Sequence, residues 1–183
     1  MRRHVFVISL IVALPVLFFG AVSSAVADEP PAPVAGLVEV GRGELNWFGL
    51  GVYDAHLYTT SGRFEGLQSG RIALEIRYER DISSEQLVET TRKEWRRLAG
   101  SLQLNDPARK ETWLEAVGAI WPDVSDGDRI ITVVEPDGPT RFFGNAGALG
   151  VIDDPEFGPA LLGIWLHPET RVADLRAELI GSE

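Results

Sequence analysis

Three side chains around one predicted strand end have the chemistry to hold a small anionic molecule. Tyr78 ends a segment of alternating apolar residues, Arg80 follows it, and Trp95 lies further on, in a predicted helix. A guanidinium can clamp a carboxylate, and aromatic rings can form an apolar wall. The same side chains also fit a purely structural role. Tyr78 and Trp95 would then be core residues, and Arg80 would neutralise Glu79 or Asp81 in an ion pair that stabilises little.

Other kinds of chemistry have weaker signals. The three histidines are His4, His56 and His167, and the chain has no cysteine, so no zinc-binding pattern is recognisable. No Gly-x-Ser-x-Gly nucleophile motif and no phosphate-binding glycine loop occurs. We therefore assign no catalytic residue, metal ligand or cofactor from the sequence.

An acidic cluster at Asp123, Asp126 and Asp128 suggests calcium, which prefers oxygen ligands. Its spacing departs from that of an EF-hand loop, and the closing bidentate glutamate is absent. A turn that leads into a strand explains the same residues.

Hydrophobic periodicity and turn chemistry predict the strands that would position these residues. The predicted strands cover 37–40, 44–50, 52–58, 71–78, 129–134, 140–143 and 149–152. A turn is predicted at Gly41-Arg42-Gly43 and a bulge or bend at Gly51. The strand over 71–78 alternates, which predicts one buried face and one mostly solvated face.

Cap residues predict four helices. Ser83 with Gln86 forms a capping box, and Asp106 before a proline begins the second helix. Asp154 before a proline is predicted to cap the third helix, which lies back across the last three strands, and Thr170 is predicted to cap the fourth. The order is strands, two helices, strands, two helices. This order predicts an α+β fold with an antiparallel sheet.

The first residues have the pattern of a secretory signal peptide. Arg2 and Arg3 precede an apolar run over 5–19, and small residues follow up to Ala27. The run falls short of the roughly 20 residues that a membrane-spanning helix needs, which favours cleavage between Ala27 and Asp28 over an uncleaved anchor. We predict a signal peptide over 1–27, a flexible proline-rich lead-in over 28–36, one domain over 37–183, and no stable membrane span after cleavage.

The composition of the chain limits the classes of partner that it can bind. The formal net charge is −10, which argues against nucleic acid or an anionic membrane surface, since both require cationic patches. An exported domain without cysteine depends on its hydrophobic core rather than on disulfides. Together with the predicted signal peptide, these features predict a bacterial periplasmic protein.

Three segments resemble the chalcone isomerase-like proteins, in their bacterial exported branch. The segments are Gly51-Val52-Tyr53-Asp54-Ala55-His56-Leu57-Tyr58, Tyr78-Glu79-Arg80-Asp81-Ile82-Ser83 with Trp95 downstream, and a C-terminal stretch with Gly127-Asp128, Gly150-Val151-Ile152 and Gly163-Ile164-Trp165-Leu166. The resemblance implies an open-faced sandwich, in which helices cover one side of a large antiparallel sheet and a ligand cleft lies between the layers.

The resemblance does not extend to the isomerase's catalytic residues. The plant enzymes use an arginine and a threonine, and alignment on Gly51-Val52-Tyr53 places Gly36 and Phe48 at those positions. Glycine offers no cation for an oxyanion, and a phenyl ring forms no hydrogen bond to a ketone. We therefore expect a non-catalytic module that binds a small apolar or amphipathic molecule, such as a fatty acid. The alternatives are an enzyme that uses other cleft residues and an envelope protein-interaction module whose partner is unknown.

N-terminal sequencing of the exported protein tests the predicted cleavage. We expect the mature chain to begin at Asp28, because the small residues before it fit a signal peptidase site. A chain that begins at Met1 and stays with the membrane fraction would show an uncleaved anchor instead.

Overall fold

The computed structural model describes residues 32–181, so the predicted signal peptide and its cleavage site lie outside the described residues. Six strands form one antiparallel sheet in sequential order. The strands are β1 (Val38–Trp47), β2 (Leu50–Thr59), β3 (Ile72–Tyr78), β4 (Arg129–Val134), β5 (Thr140–Gly144) and β6 (Gly147–Ile152). The helices are α1 (Ser84–Leu98), α2 (Pro107–Ile120), α3 (Phe157–Leu166) and α4 (Ala173–Ile180).

Helices α1 and α2 connect β3 to β4, and α3 and α4 follow β6. The main hydrophobic core joins the helices to one face of the sheet. This architecture confirms the predicted α+β fold, an antiparallel sheet with helices on one side. None of the helices within 32–181 is long and apolar enough to cross a bilayer.

The predicted caps of the first two helices are confirmed. The Ser83 hydroxyl accepts a hydrogen bond from the Gln86 amide, and the Gln86 side chain accepts one from the Ser83 amide. One carboxylate oxygen of Asp106 accepts the amides of Ala108 and Arg109. These bonds satisfy amide groups that the first turn of a helix leaves unpaired.

The predicted caps of the last two helices are wrong. Helix α3 begins at Phe157, and the Asp154 carboxylate accepts hydrogen bonds from the Arg109 guanidinium, the Trp113 indole and the Glu156 amide, two residues on. Thr170 precedes α4 by three residues, and its hydroxyl donates to the carbonyl of Ile164. Neither α3 nor α4 therefore has a side-chain cap hydrogen bond at its N-terminus.

The turn predicted at Gly41-Arg42-Gly43 is also wrong, since these residues lie inside β1. The glycines are needed for packing instead. A Cβ added at Gly41 would lie 2.2 Å from the Glu178 carbonyl oxygen and 2.8 Å from that of Leu179. Helix α4 therefore rests directly on the backbone of β1.

The second face of the sheet is less solvated than the alternation in β3 predicted. Ala73 and Glu75 are fully buried there, and a small second core includes Val34 and Ile131. Val34 belongs to a 3-10 helix, Ala32–Val34, within the lead-in that was predicted to be flexible. An apolar side chain ahead of β1 thus covers part of this face.

The Glu75 carboxylate is paired rather than solvated. The Arg77 guanidinium lies 2.8 Å from it, that of Arg129 lies 3.7 Å away, and the Tyr58 hydroxyl donates to it over 3.4 Å. A buried carboxylate without such partners would be strongly destabilising.

Two glycine substitutions test the packing of α4 on β1. We expect Gly41→Ala to lower the free energy of unfolding by about 1–3 kcal/mol, because backbone atoms of α4 must move. Gly118→Ala, in α2, should leave it unchanged or raise it by up to about 1 kcal/mol, since its added Cβ meets only Val88 at 3.6 Å. Guanidinium unfolding of both variants measures the difference, and equal stabilities would contradict the proposed contact.

Candidate functional site

A cavity of about 630 Å³ lies between the sheet and helices α1 and α3. Its walls come from alternate residues of β3 and β4, from the end of β1 and the start of β2, and from one side of α1 and of α3. Apolar members of the wall are Leu45, Leu74, Ile76, Ile82, Leu87, Ile130, Leu161 and Ile164. The volume falls within the roughly 300–1,000 Å³ that is typical of small-molecule sites.

The predicted site residues occupy different positions relative to this cavity. Tyr78 and Arg80 line it, whereas Trp95 does not. Trp95 is buried in the core, where its indole donates to the Ala160 carbonyl over 2.9 Å and its ring packs edge-on against Trp113. Trp95 is therefore a core residue, whereas ligand binding by Tyr78 and Arg80 stays a prediction.

The connection that carries Arg80 is fixed by backbone hydrogen bonds. The Glu79 amide donates to the Val52 carbonyl over 3.1 Å, and Ile82 exchanges two 2.9 Å bonds with Val124. The Arg80 side chain is exposed, and it forms no ion pair with any residue in the described range. The pairing with Glu79 or Asp81 that was the structural alternative is thus absent, and this guanidinium is available at the edge of the cavity.

Two tyrosines lie side by side on the sheet wall of the cavity. Tyr53 and Tyr78 are cross-strand partners whose ring centroids are 6.3 Å apart. The Tyr53 hydroxyl accepts a 2.8 Å hydrogen bond from the Trp165 indole, which leaves the phenolic proton of Tyr53 to be donated. The Tyr78 hydroxyl has no hydrogen-bond partner among residues 32–181. Each phenol thus has a hydrogen-bond donor to offer a molecule in the cavity.

Burial keeps both phenols protonated. Desolvation raises the pKa of Tyr53 to about 12, with the Trp165 hydrogen bond opposing the shift and the Glu94 charge adding to it. Desolvation also raises the pKa of Tyr78, with a smaller contribution from Tyr53. At neutral pH both groups are therefore neutral donors, suited to a carboxylate or a carbonyl oxygen.

The cavity also contains charges that are already paired. The Glu94 carboxylate lies 3.0 Å from the Arg97 guanidinium and 3.3 Å from that of Arg171. Arg171 lines the cavity too, but its charge is balanced by Glu94. Arg80 is accordingly the better candidate to receive an additional anion.

Gly36 and Phe48, the two positions compared with catalytic residues, do not line the cavity. Gly36 lies in the turn before β1, and Phe48 is 92% exposed in the turn between β1 and β2. Neither residue therefore contributes to the chemistry of the cavity. The neighbouring residues that do line it are Leu45, Asn46, Trp47, Val52 and Tyr53.

Tyr53 and Trp165 were not predicted as site residues, although Tyr53 alternates with Ala55 and Leu57 in the predicted strand over 52–58. That alternation was the available signal for Tyr53. The contact between Tyr53 and Trp165 spans 112 positions in the chain, and no local pattern indicates it.

Two of the three aspartates considered for calcium accept hydrogen bonds in and around the loop before β4. Asp123 accepts the Ser84 amide over 2.8 Å, and Asp128 accepts the Ser125 amide over 2.8 Å and the Asn145 side-chain amide over 2.6 Å. No group of three or more His, Cys, Asp or Glu residues suited to a metal occurs within the described range.

Comparisons with known proteins agree on the fold. A family described as chalcone isomerase-like matches residues 40–181. An uncharacterized protein of Haemophilus influenzae is 30% identical over 150 residues, which cover 82% of this chain and 71% of the relative. The crystal structure of a fatty-acid binding protein of Arabidopsis thaliana is similar with a TM-score of 0.62, over 80% of this chain and 87% of that chain. Because its sequence identity is 8%, that likeness concerns the fold alone.

Tyrosine ionisation tests the burial of the cavity wall. The chain has three tyrosines, Tyr53, Tyr58 and Tyr78, and burial raises the pKa of each above 10. We expect little tyrosinate absorbance at pH 10 in the folded protein, and half-ionisation at that pH in guanidinium. The folded state binds more protons above pH 10, so its stability should fall as pH rises from 10 towards 12. Half-ionisation of the folded protein at pH 10 would contradict the burial.

Proposed function

Because the chain belongs to the chalcone isomerase-like family, we propose that it binds one small amphipathic molecule, such as a fatty acid, and catalyses no reaction on it. The observation that supports this proposal most is the make-up of the cavity. Its walls are largely apolar, and its lining also includes two phenolic donors and the Arg80 guanidinium, which has no ion-pair partner among residues 32–181. This combination of groups matches a molecule with an apolar chain and a carboxylate.

The carboxylate would be held by Arg80 and by the hydroxyls of Tyr78 and Tyr53. A carboxylate that leaves water for an apolar cavity must be paired, because an unpaired buried charge costs several kcal/mol. A charge-assisted bond to Arg80 supplies the pairing, and the neutral phenols add hydrogen bonds without competing for the charge. The apolar chain would then extend along Leu74 and Ile76, between the sheet and α1.

The structural neighbour in Arabidopsis thaliana is a fatty-acid binding protein, which supports the choice of ligand class. The H. influenzae relative carries no functional description. We further propose that binding takes place in the periplasm, after removal of residues 1–27. The signal-peptide pattern and the absence of cysteine support this location.

An enzyme is the second candidate function, and one observation favours it. The phenols of Tyr53 and Tyr78 and the guanidinium of Arg80 are also groups that stabilise a developing oxyanion. A general base is harder to find in the described residues. Glu94 is held by two arginines, and His56 lies on the other face of the sheet, 3.3 Å from Glu39.

Native mass spectrometry of protein purified from its host separates these functions from a third, an envelope protein-interaction module. A co-purified fatty acid supports the binding function. An empty cavity together with turnover of a screened compound would favour the enzyme, and a co-purified protein chain would favour the interaction module.

Replacing Arg80 tests the proposed anchor. We expect Arg80→Met to weaken fatty-acid binding by about one to two powers of ten, since a charge-assisted hydrogen bond of ~1.5–3 kcal/mol is lost. Methionine keeps much of the apolar stem, so the melting temperature should barely change. Isothermal titration with a fatty acid and a thermal melt measure the two effects.

Arg42→Met is the matched control, because Arg42 is exposed on the opposite face of the sheet and its removal changes the net charge equally. It should leave the affinity unchanged. If Arg80→Met lowers the melting temperature and leaves the affinity intact, Arg80 is a structural residue and the proposed anchor is wrong.

A further inference from the structure

The turn between β1 and β2 concentrates exposed apolar surface. Trp47, Phe48 and Leu50 are 65%, 92% and 64% exposed, and we call these three residues the hairpin tip. The other large exposed apolar side chains in the described range, Val38 and Val151, lie in β1 and β6 outside it. Isolated exposed apolar residues are ordinary on protein surfaces, but a cluster that includes two aromatic rings needs an explanation.

Neither solvation nor backbone geometry favours phenylalanine at position 48. Phe48 and Gly49 form a two-residue hairpin loop in which both residues have positive φ, at 50° and 76°. Such loops favour Asn-Gly or Asp-Gly, and a bulky residue with positive φ is strained. An asparagine would therefore suit both the turn and the solvent better. Strain of this kind is typical of residues retained for binding rather than for stability.

The hairpin tip adjoins the cavity. Trp47 belongs to both, since it lines the cavity while two thirds of its surface is exposed. The Phe48 ring centroid lies 5.7 Å from that of Trp47, and Leu50 is the cross-strand partner of Trp47. A surface that covered the hairpin tip would therefore also face this edge of the cavity.

We propose that the hairpin tip inserts into the interfacial layer of an electrically neutral lipid bilayer and so brings the mouth of the cavity to a source of its ligand. The transfer role rests on the proposed function, whereas the insertion itself rests on the hairpin tip alone. Tryptophan and phenylalanine are suited to the interfacial layer, and a few apolar side chains suffice for reversible attachment there.

Size and charge favour a bilayer of this kind over a protein partner. A stable protein interface buries at least about 1,000 Å² in total, more than three side chains on a convex turn provide. The charge near the tip favours neutral lipid, because the exposed Glu79 carboxylate lies over Gly51, beside Leu50. Asp54, Glu44 and Asp126 lie close enough to Glu79 to raise its pKa further, after desolvation. These carboxylates would be repelled by anionic headgroups.

Co-flotation with vesicles tests the insertion. We expect the full mature chain to bind phosphatidylcholine vesicles, and Phe48→Asn to weaken the partition about ten-fold, because one aromatic side chain no longer leaves water. Leu50→Thr should weaken it in the same direction, whereas Val151→Thr, which changes an exposed apolar residue at the other edge of the sheet, should not. Phosphatidylglycerol in the vesicles should weaken binding at low salt, and added salt should remove the difference.

Two further measurements test whether Phe48→Asn acts through a loss of stability or a loss of ligand affinity. Phe48→Asn should unfold at the same temperature as the wild type or higher, since asparagine suits the turn. Its affinity for a fatty acid in buffer without vesicles should be unchanged, because Phe48 does not line the cavity.

Several outcomes would overturn the insertion. These are no binding of the wild type to vesicles, equal binding of wild type and Phe48→Asn, or an equal loss in Val151→Thr. A wild-type dimer that Phe48→Asn dissociates, seen by analytical ultracentrifugation, would instead assign the hairpin tip to a second copy. The proposed function fails separately: a protein that binds vesicles through the hairpin tip but takes up no fatty acid would disprove ligand binding and leave the insertion standing.

Discussion

Edge-on packing of aromatic rings between α1, α2 and α3 is the interaction on which the helical layer depends. The ring centroids of Trp95, Trp113 and Phe157 are 5.6 to 6.0 Å apart, and Phe142 of the sheet lies 6.0 Å from Phe157. Rigid rings of this size set the distance between the helices and the sheet. Beside them the helices present mainly aliphatic and small polar side chains to the sheet, and these leave the cavity unfilled. Trp121 lies between the aromatic cluster and the cavity, since it packs against Phe142 and also lines the cavity.

Charged and polar side chains beside the helical layer fall into two groups, those with partners in the protein and those without. Most charged groups near the helical layer are paired: the Asp154 carboxylate, for example, accepts hydrogen bonds from Arg109 and Trp113. Burial alone would raise the pKa of Asp154, but the hydrogen bonds from Arg109, the Glu156 amide and Trp113 lower it. The Tyr78 hydroxyl and the Arg80 guanidinium differ, since neither has a partner among the described residues. The Arg80 guanidinium is exposed to water and the Tyr78 residue is largely buried, and both groups keep hydrogen-bonding capacity for a ligand.

The two faces of the sheet have different environments. One face forms the cavity and the main core, while the other buries Glu75 among basic groups and packs Val34 against a small second core. Glu75 and its basic partners therefore lie on the face of the sheet opposite the cavity. His56 belongs to this face, which is why its proximity to Glu39 does not make it a catalytic candidate.

The sequence by itself determined the features that depend on neighbouring residues. The capping box of α1, the Asp106 cap and proline start of α2, the alternation of Tyr53 and Tyr78 on the helix-facing side of the sheet, and the order of strands and helices all follow from signals within a few positions. Only the tertiary structure decided what depends on distant residues. It placed Trp95 in the core, paired Tyr53 with Trp165, bonded Asp154 to Arg109 and Trp113, and packed α4 on the backbone at Gly41, which was predicted to lie in a turn. The physical reason is that local propensities are worth a fraction of a kcal/mol per residue, whereas a buried ring, a bidentate ion pair or a helix resting on backbone outweighs them.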